Sequence, residues 1–165
     1  MTDSRFLKMK GVDNVKLETT RFGEIEVAEN EIITFKQGLY GFRDEHQFVL
    51  LSDEETDFCW LQSITNPDLA FIVIEPWAFC KDYEFDLSEE VKSELEVESE
   101  KDILVLNIVV VPENPREMTM NLKAPVIVNK GTYLAKQIIL DSEEYPIKYR
   151  LFGEKESGVR NRESV

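Results

Sequence analysis

Few side chains in this chain could do acid–base, nucleophilic or metal chemistry. The single histidine, His46, stands between Glu45 and Gln47. An imidazole works as a general base only where a nucleophile and an orienting group converge on it, and no such pattern surrounds His46. Cys59 and Cys80 are too few for a disulfide framework and fit no CxxC or other ligand spacing. In their apolar surroundings they read as small buried hydrophobes in a reducing compartment. Without a calcium-type Asp loop either, no metal and no cofactor is expected. Gly38-Leu39-Tyr40-Gly41 is not followed by a helix bearing Lys or Ser/Thr in register, so it reads as a turn and not a phosphate loop. The expectation is a protein that is not an enzyme.

Charge offers a different kind of chemistry. The 165 residues hold 33 Asp and Glu against 19 Lys and Arg, a net charge of −14. Residues 1–16 carry +2 and residues 151–165 are neutral, which leaves −16 on residues 17–150. Such a surface repels phosphate backbones, so direct nucleic-acid binding is disfavoured and basic proteins are the matched partners. The charge is densest from Lys81 to Asp102, with ten acids against three lysines. In Glu94, Glu96, Glu98, Glu100 and Asp102 the acids alternate with Leu95 and Val97, predicting an extended segment with carboxylates on one side. Either this is a solvated face that discourages aggregation, or it steers a basic partner.

Large rings are the other candidate surface. Most of them must build a core, but around Trp77, Phe79, Tyr83 and Phe85 rings alternate with charges, which suggests an exposed groove for an amphipathic helix. Asn66-Pro67-Asp68 predicts a surface turn, because Pro pre-sets φ and biases Asn66 away from helix.

The elements that must position these residues are mostly strands. Period-2 alternation marks Val15–Thr19, Ile25–Val27, Ile32–Phe35, Phe48–Leu51, Trp60–Ile64 and Leu69–Ile74, with Met118–Leu122, Pro125–Val128 and Tyr133–Leu140 further on. The continuous apolar run Ile103–Val111 predicts a strand buried on both faces. It is also the longest such run, far short of the about 20 residues that span a bilayer, and no membrane association is expected. One short helix is predicted between Leu87 and Leu95, capped by Asp86 or Ser88, with Leu87, Val91 and Leu95 as its apolar face. The fold class is therefore mainly β, a small antiparallel barrel or sandwich-like domain with one short helix. Residues 1–15 and 153–165 are polar and without periodicity and read as flexible tails around a folded unit at 16–152. The first 20 residues lack a signal-peptide stretch, so the expected location is the cytoplasm.

Seven segments, in order, carry a resemblance. They are Phe22-Gly23-Glu24-Ile25, Gly38 to Phe42, Trp60-Leu61-Gln62-Ser63, Pro67 to Phe71, Val110-Val111-Pro112, Met118 to Pro125 and Lys136 to Leu140. Together they resemble the FliW family of flagellar assembly factors over about Lys16 to Arg150, while both ends extend beyond the family's compact unit. The resemblance implies a β-barrel-like, non-enzymatic cytoplasmic protein that acts as a flagellin chaperone. It implies a second partner as well, CsrA, the translational repressor of flagellin messenger RNA, sequestered once flagellin has been exported. The candidate partner-binding residues are Glu94, Glu96, Glu98, Glu100, Asp102, Asn66, Pro67, Asp68, Trp77, Phe79, Tyr83 and Phe85. Two other classes fit a small barrel: a binder of a small apolar ligand or flavin in the barrel mouth, and a hydrolase dependent on His46.

Overall fold

In the computed structural model, which describes residues 13–52 and 54–152, a closed ring of strands is wrapped on its outside by three further layers. The strands are β1 (Asn14–Thr19), β2 (Gly23–Ala28), β3 (Ile33–Phe35), β4 (Gln47–Ser52), β5 (Cys59–Ser63), β6 (Ala70–Ile74), β7 (Ile103–Val110), β8 (Thr119–Met120), β9 (Val126–Asn129), β10 (Leu134–Gln137) and β11 (Tyr149–Arg150), with one α-helix, α1 (Glu89–Glu94). Strands β7, β6, β5, β4, β3, β10 and β9 follow one another in hydrogen-bonded order, and β9 pairs back onto β7, closing a seven-stranded barrel. The expected mainly β barrel with one short helix is what forms. One pair departs from the antiparallel expectation, because β10 runs parallel to β3, Leu134 opposite Thr34.

Alternation along each strand sends every second side chain into the ring. Ile33, Phe35, Phe48, Leu61, Val73, Leu106, Val126, Val128 and Ala135 fill the interior, with Leu39 closing in from the loop after β3. The β1–β2 hairpin lays Leu17 and Val27 on Val49, from the outward face of β4. Its tight turn uses Gly23 at φ +72°, and the Thr19 hydroxyl accepts from Phe22 N–H and donates to Gly23 C=O, both at 2.8 Å. Segments 79–85, 118–122 and 138–151 cover β6 and β7 with a second core around Ile74, Tyr83, Val109, Met120, Leu122 and Tyr145. α1 and its flanks close the third sector over Val105 and Ile127.

β7 is the spine of this arrangement. Its first half pairs with β9 along Ile103–Leu106, and its second half pairs with β6 on the other edge and with β8 at Val109 and Val110. Inward Leu106 joins the barrel core, while outward Val105 and Val109 join two different outer cores. Burial on both faces runs from Val105 to Val109, with Ile108 half-buried. The strand ends at Val110, which is 60 % exposed, and Val111 is exposed too, so the apolar run outlasts its cover. Asn107, the polar interruption, is fully buried and donates from Nδ2 to Asn121 C=O at 2.7 Å.

At the chain ends, β1 begins at Asn14, inside the stretch read as a tail, because Val15 pairs with Val27 and Asp13 C=O accepts from Glu29 N–H. The remainder of both expected tails, 1–12 and 153–165, lies outside the described residues. β11 was not expected at all; its two residues pair with Met120 and Thr119.

Candidate functional site

The acidic stretch is built around a short helix whose ends are tied down. Ser88 Oγ accepts from Val91 N–H at 3.1 Å, and Glu89 and Glu90 occupy the first turn, where the helix dipole favours acids. Val91 and Leu95 turn toward Val105 and Ile127. Reaching that core requires a helical turn, which overrides the strand-like alternation of Glu with Leu95 and Val97. Glu96 then adopts the left-handed conformation at φ +58°, and Glu100–Asp102 form a 3-10 turn. Asp102 caps that turn, accepting from Ser99 N–H at 3.1 Å and Glu98 N–H at 3.2 Å. Glu94 is half-buried against Lys136 at 2.6 Å. The expected extended row of Glu94, Glu96, Glu98, Glu100 and Asp102 therefore does not exist; Glu96, Glu98 and Glu100 point to solvent, and Glu94 and Asp102 are bound within the fold.

The alternation expected there occurs one segment earlier. Asp82, Glu84 and Asp86 are exposed, while Tyr83 is buried and Phe85 and Leu87 are half-buried. Asp82, Glu84, Phe85 and Asp86, together with Asp141 and Glu144, line an open acidic groove of about 760 Å³.

Asn129, the last residue of β9, holds the helix end in place. Its Nδ2 donates to Leu95 C=O at 2.7 Å and Glu96 C=O at 3.1 Å, and its Oδ1 accepts from Gly131 N–H at 2.8 Å and Thr132 N–H at 3.3 Å. Asn129→Ala should lower stability by about 2 kcal/mol, because buried carbonyls lose their donor. It should also shift the amide resonances of 95–102 while sparing the β1–β2 hairpin. A cost below about 0.5 kcal/mol in urea unfolding would contradict the clamp.

The ring segment is mostly core, contrary to the expected exposed groove. Tyr83 is 2 % exposed; its hydroxyl donates to Leu122 C=O at 2.6 Å, and its ring packs on Tyr145 at 4.7 Å and Phe85 at 5.4 Å. Burial pushes its phenol up to about 12, so it remains a donor throughout the neutral range. Trp77 is exposed, as expected, and donates from Nε1 to Tyr83 C=O at 2.8 Å, while half-buried Phe79 meets Phe152 edge-to-face at 5.7 Å. Asn66, Pro67 and Asp68 do form a turn, closed by Asn66 Oδ1 accepting from Asp68 N–H at 3.0 Å. Pro67 C=O accepts from Thr20 N–H at 3.0 Å and the Thr20 hydroxyl donates to Asp68, so this turn also anchors the β1–β2 hairpin tip.

The remaining chemistry-bearing groups have structural partners. His46 Nδ1 lies 2.8 Å from Phe35 C=O at the start of β4. Cys59 and Cys80 are half-buried thiols, and burial pushes the Cys80 thiol up, away from the reactive thiolate. Among the described residues, no cluster of three or more His, Cys, Asp or Glu could hold a metal, and no helix is long and apolar enough to cross a membrane. The barrel interior is filled by Phe35, Phe48 and Leu61. Tyr40 and Phe42, in the resemblance segment Gly38 to Phe42, are exposed rings that were not among the candidate residues. Phe42 packs edge-to-face on Phe71 at 5.2 Å, and Arg43 lies over the Tyr40 ring at 5.3 Å.

Residues 16–151, nearly the whole described unit, match the model of the family described as FliW protein. The chain belongs to the FliW family. It is 46% identical over 142 residues to the flagellar assembly factor FliW of Caldanaerobacter subterraneus subsp. tengcongensis, an overlap of 85% of this chain and 95% of that protein. It is 45% identical over 141 residues to the flagellar assembly factor FliW of Desulfitobacterium hafniense strain DCB-2, covering 85% and 93%. A crystal structure of a flagellar assembly factor FliW superposes with a TM-score of 0.80 at 40% identity, over 86% of this chain and 99% of that one. The FliW relatives are named as assembly factors and not as enzymes. The seven segments that suggested FliW membership largely serve folding: Gly23 turns the hairpin, Leu61, Met120 and Leu122 are core, and Pro67 anchors the hairpin tip.

Proposed function

We propose that this protein is a cytoplasmic flagellar assembly factor that binds newly made flagellin and, once flagellin has left the cell, binds and antagonises CsrA. The observation that carries the reading is membership of the FliW family over 16–151, in a chain whose residues 17–150 hold −16. A strongly acidic surface is complementary to a basic RNA-binding regulator and unsuited to the RNA itself. Exposed Glu96, Glu98 and Glu100 raise the encounter rate of that regulator more than they deepen its affinity. Flagellin is held mainly by apolar contact, because its terminal segments are amphipathic helices in need of cover before export.

Stopped-flow association and calorimetry with purified flagellin and CsrA test the reading. Changing Glu96, Glu98 and Glu100 together to Gln should slow CsrA association several-fold at low salt, converging on the parent rate as salt screens the field. Flagellin binding should be indifferent to the same change, survive raised salt and show a negative heat-capacity change. An unchanged CsrA rate at low ionic strength would remove the steering role, and a zero or positive heat-capacity change would remove the apolar mode for flagellin.

A further inference from the structure

At the end of the barrel where β9 turns into β10, the interior does not close over. Ile33, Leu50, Leu104 and Val128, one side chain each from β3, β4, β7 and β9, surround a pocket of about 270 Å³ open to solvent. Phe35, Phe48 and Leu61 fill the barrel beneath it, and Leu50 and Leu104 are left only half-buried. Tyr133 forms a further wall, in the left-handed conformation at φ +62°, which is costly for a bulky residue and is maintained here by Tyr133 N–H to Asn129 C=O at 2.7 Å. The rim carries Glu31 and Lys130. The volume falls below the roughly 300–1,000 Å³ of small-molecule sites and suits one large apolar side chain.

The charge beside the pocket says what kind of segment presents that side chain. Glu96 C=O is bound to Asn129, and Asp102 C=O accepts from Lys130 N–H at 2.7 Å, so both ends of the 96–102 segment are tied to the turn that forms the pocket's wall. Exposed Glu96, Glu98 and Glu100 are therefore carried on a segment tethered at both ends to the turn that bears the pocket's rim.

We propose that the barrel mouth is a socket for one large apolar side chain of a protein segment that carries lysine or arginine next to it, with the cations meeting Glu96, Glu98 and Glu100. The buried side chain supplies the affinity, as anchor residues do at interfaces, and the acids bring the segment in. This rests on the reading that a basic regulator is a partner, and assigns the place where it is anchored.

The test uses two blocked tripeptides, Lys-Phe-Lys and Lys-Ala-Lys, titrated into the labelled full chain and followed by amide NMR. Lys-Phe-Lys should saturably shift the amides of Leu50, Leu104, Val128 and Tyr133, with Lys-Ala-Lys about tenfold weaker or more. Leu104→Trp, which fills the pocket, and Tyr133→Gly, which tolerates the positive φ but removes the wall, should each weaken CsrA about tenfold. The NMR spectra confirm that both variants are folded. Equal shifts from the two peptides, or shifts mapping elsewhere, overturn the socket. CsrA binding to the parent and to both folded variants alike also overturns it while leaving the proposed function intact. If CsrA does not bind the parent, that function fails, and the tripeptides alone decide the socket.

Discussion

Phe48→Ala should cost about 3–5 kcal/mol, a large share of the 5–15 kcal/mol that stabilises an ordinary domain. Phe48 has no exposed surface and sits at the centre of the barrel, edge-to-face with Phe35 at 5.4 Å and near Phe71 at 6.1 Å. It comes from β4, and the loss is felt beyond that strand because the ring touches side chains of β3 and β6. A closed barrel cannot collapse one wall onto the gap without breaking pairings around the ring, so the cavity term stays near its full size. Urea unfolding should show the midpoint falling at unchanged slope, with a fall in thermal midpoint of roughly 10–20 °C. Binding of both proposed partners should fail together when the variant is warmed through its lowered midpoint. A cost below about 1 kcal/mol would mean the interior is not packed as described.

Gly38→Ala should have the next largest effect, about 2–4 kcal/mol, for a backbone reason. Gly38 is at φ +68°, and a Cβ there would lie 2.6 Å from the Arg43 Cα and carbonyl oxygen. The left-handed conformation costs a residue with a side chain about 1–2 kcal/mol, and the clash is with main chain, which cannot rotate away. The loop from Gly38 to Arg43 must therefore reopen, taking with it the Leu39–Phe42 bridge and the Tyr40 N–H bond to Gln137 Oε1 at 2.9 Å. Leu39 is buried in the barrel core, so strain in the loop reaches the interior. Gly41→Ala provides the control: it shares a positive φ, at +90°, but nothing lies within 4 Å of its Cβ. Its cost should be the conformational part alone. Equal costs at the two positions would contradict the clash.

The contrast between these glycines and the acidic segment explains what a single sequence can reveal here. Alternation in Val15–Thr19 and the spacing of Leu87, Val91 and Leu95 are local patterns with a one-to-one physical meaning, and both were legible. Alternation at Glu94 to Glu100 looks the same on paper but is overruled by Asn129, 33 residues further on, which binds Glu96 and fixes the helix end. Tyr83 reads as a surface ring because charges flank it, yet its hydroxyl partner, Leu122, lies 39 residues away. Two residues, Tyr149 and Arg150, carry no periodic signal and become a strand only because β8 offers them an edge. The mouth pocket was the least legible feature, since its walls come from four strands and a turn with no shared motif. Net charge, by contrast, needs no fold to be read, and it remains the sequence feature that best supports a basic partner.

The most direct measurement is displacement. A preformed complex of this chain with CsrA, run on a size-exclusion column after addition of equimolar flagellin, should release CsrA as a separate peak while flagellin co-elutes with the chain. If CsrA stays on the chain and flagellin elutes free, or if all three travel together, the chain does not exchange one partner for the other and the proposed coupling of flagellin synthesis to export is wrong.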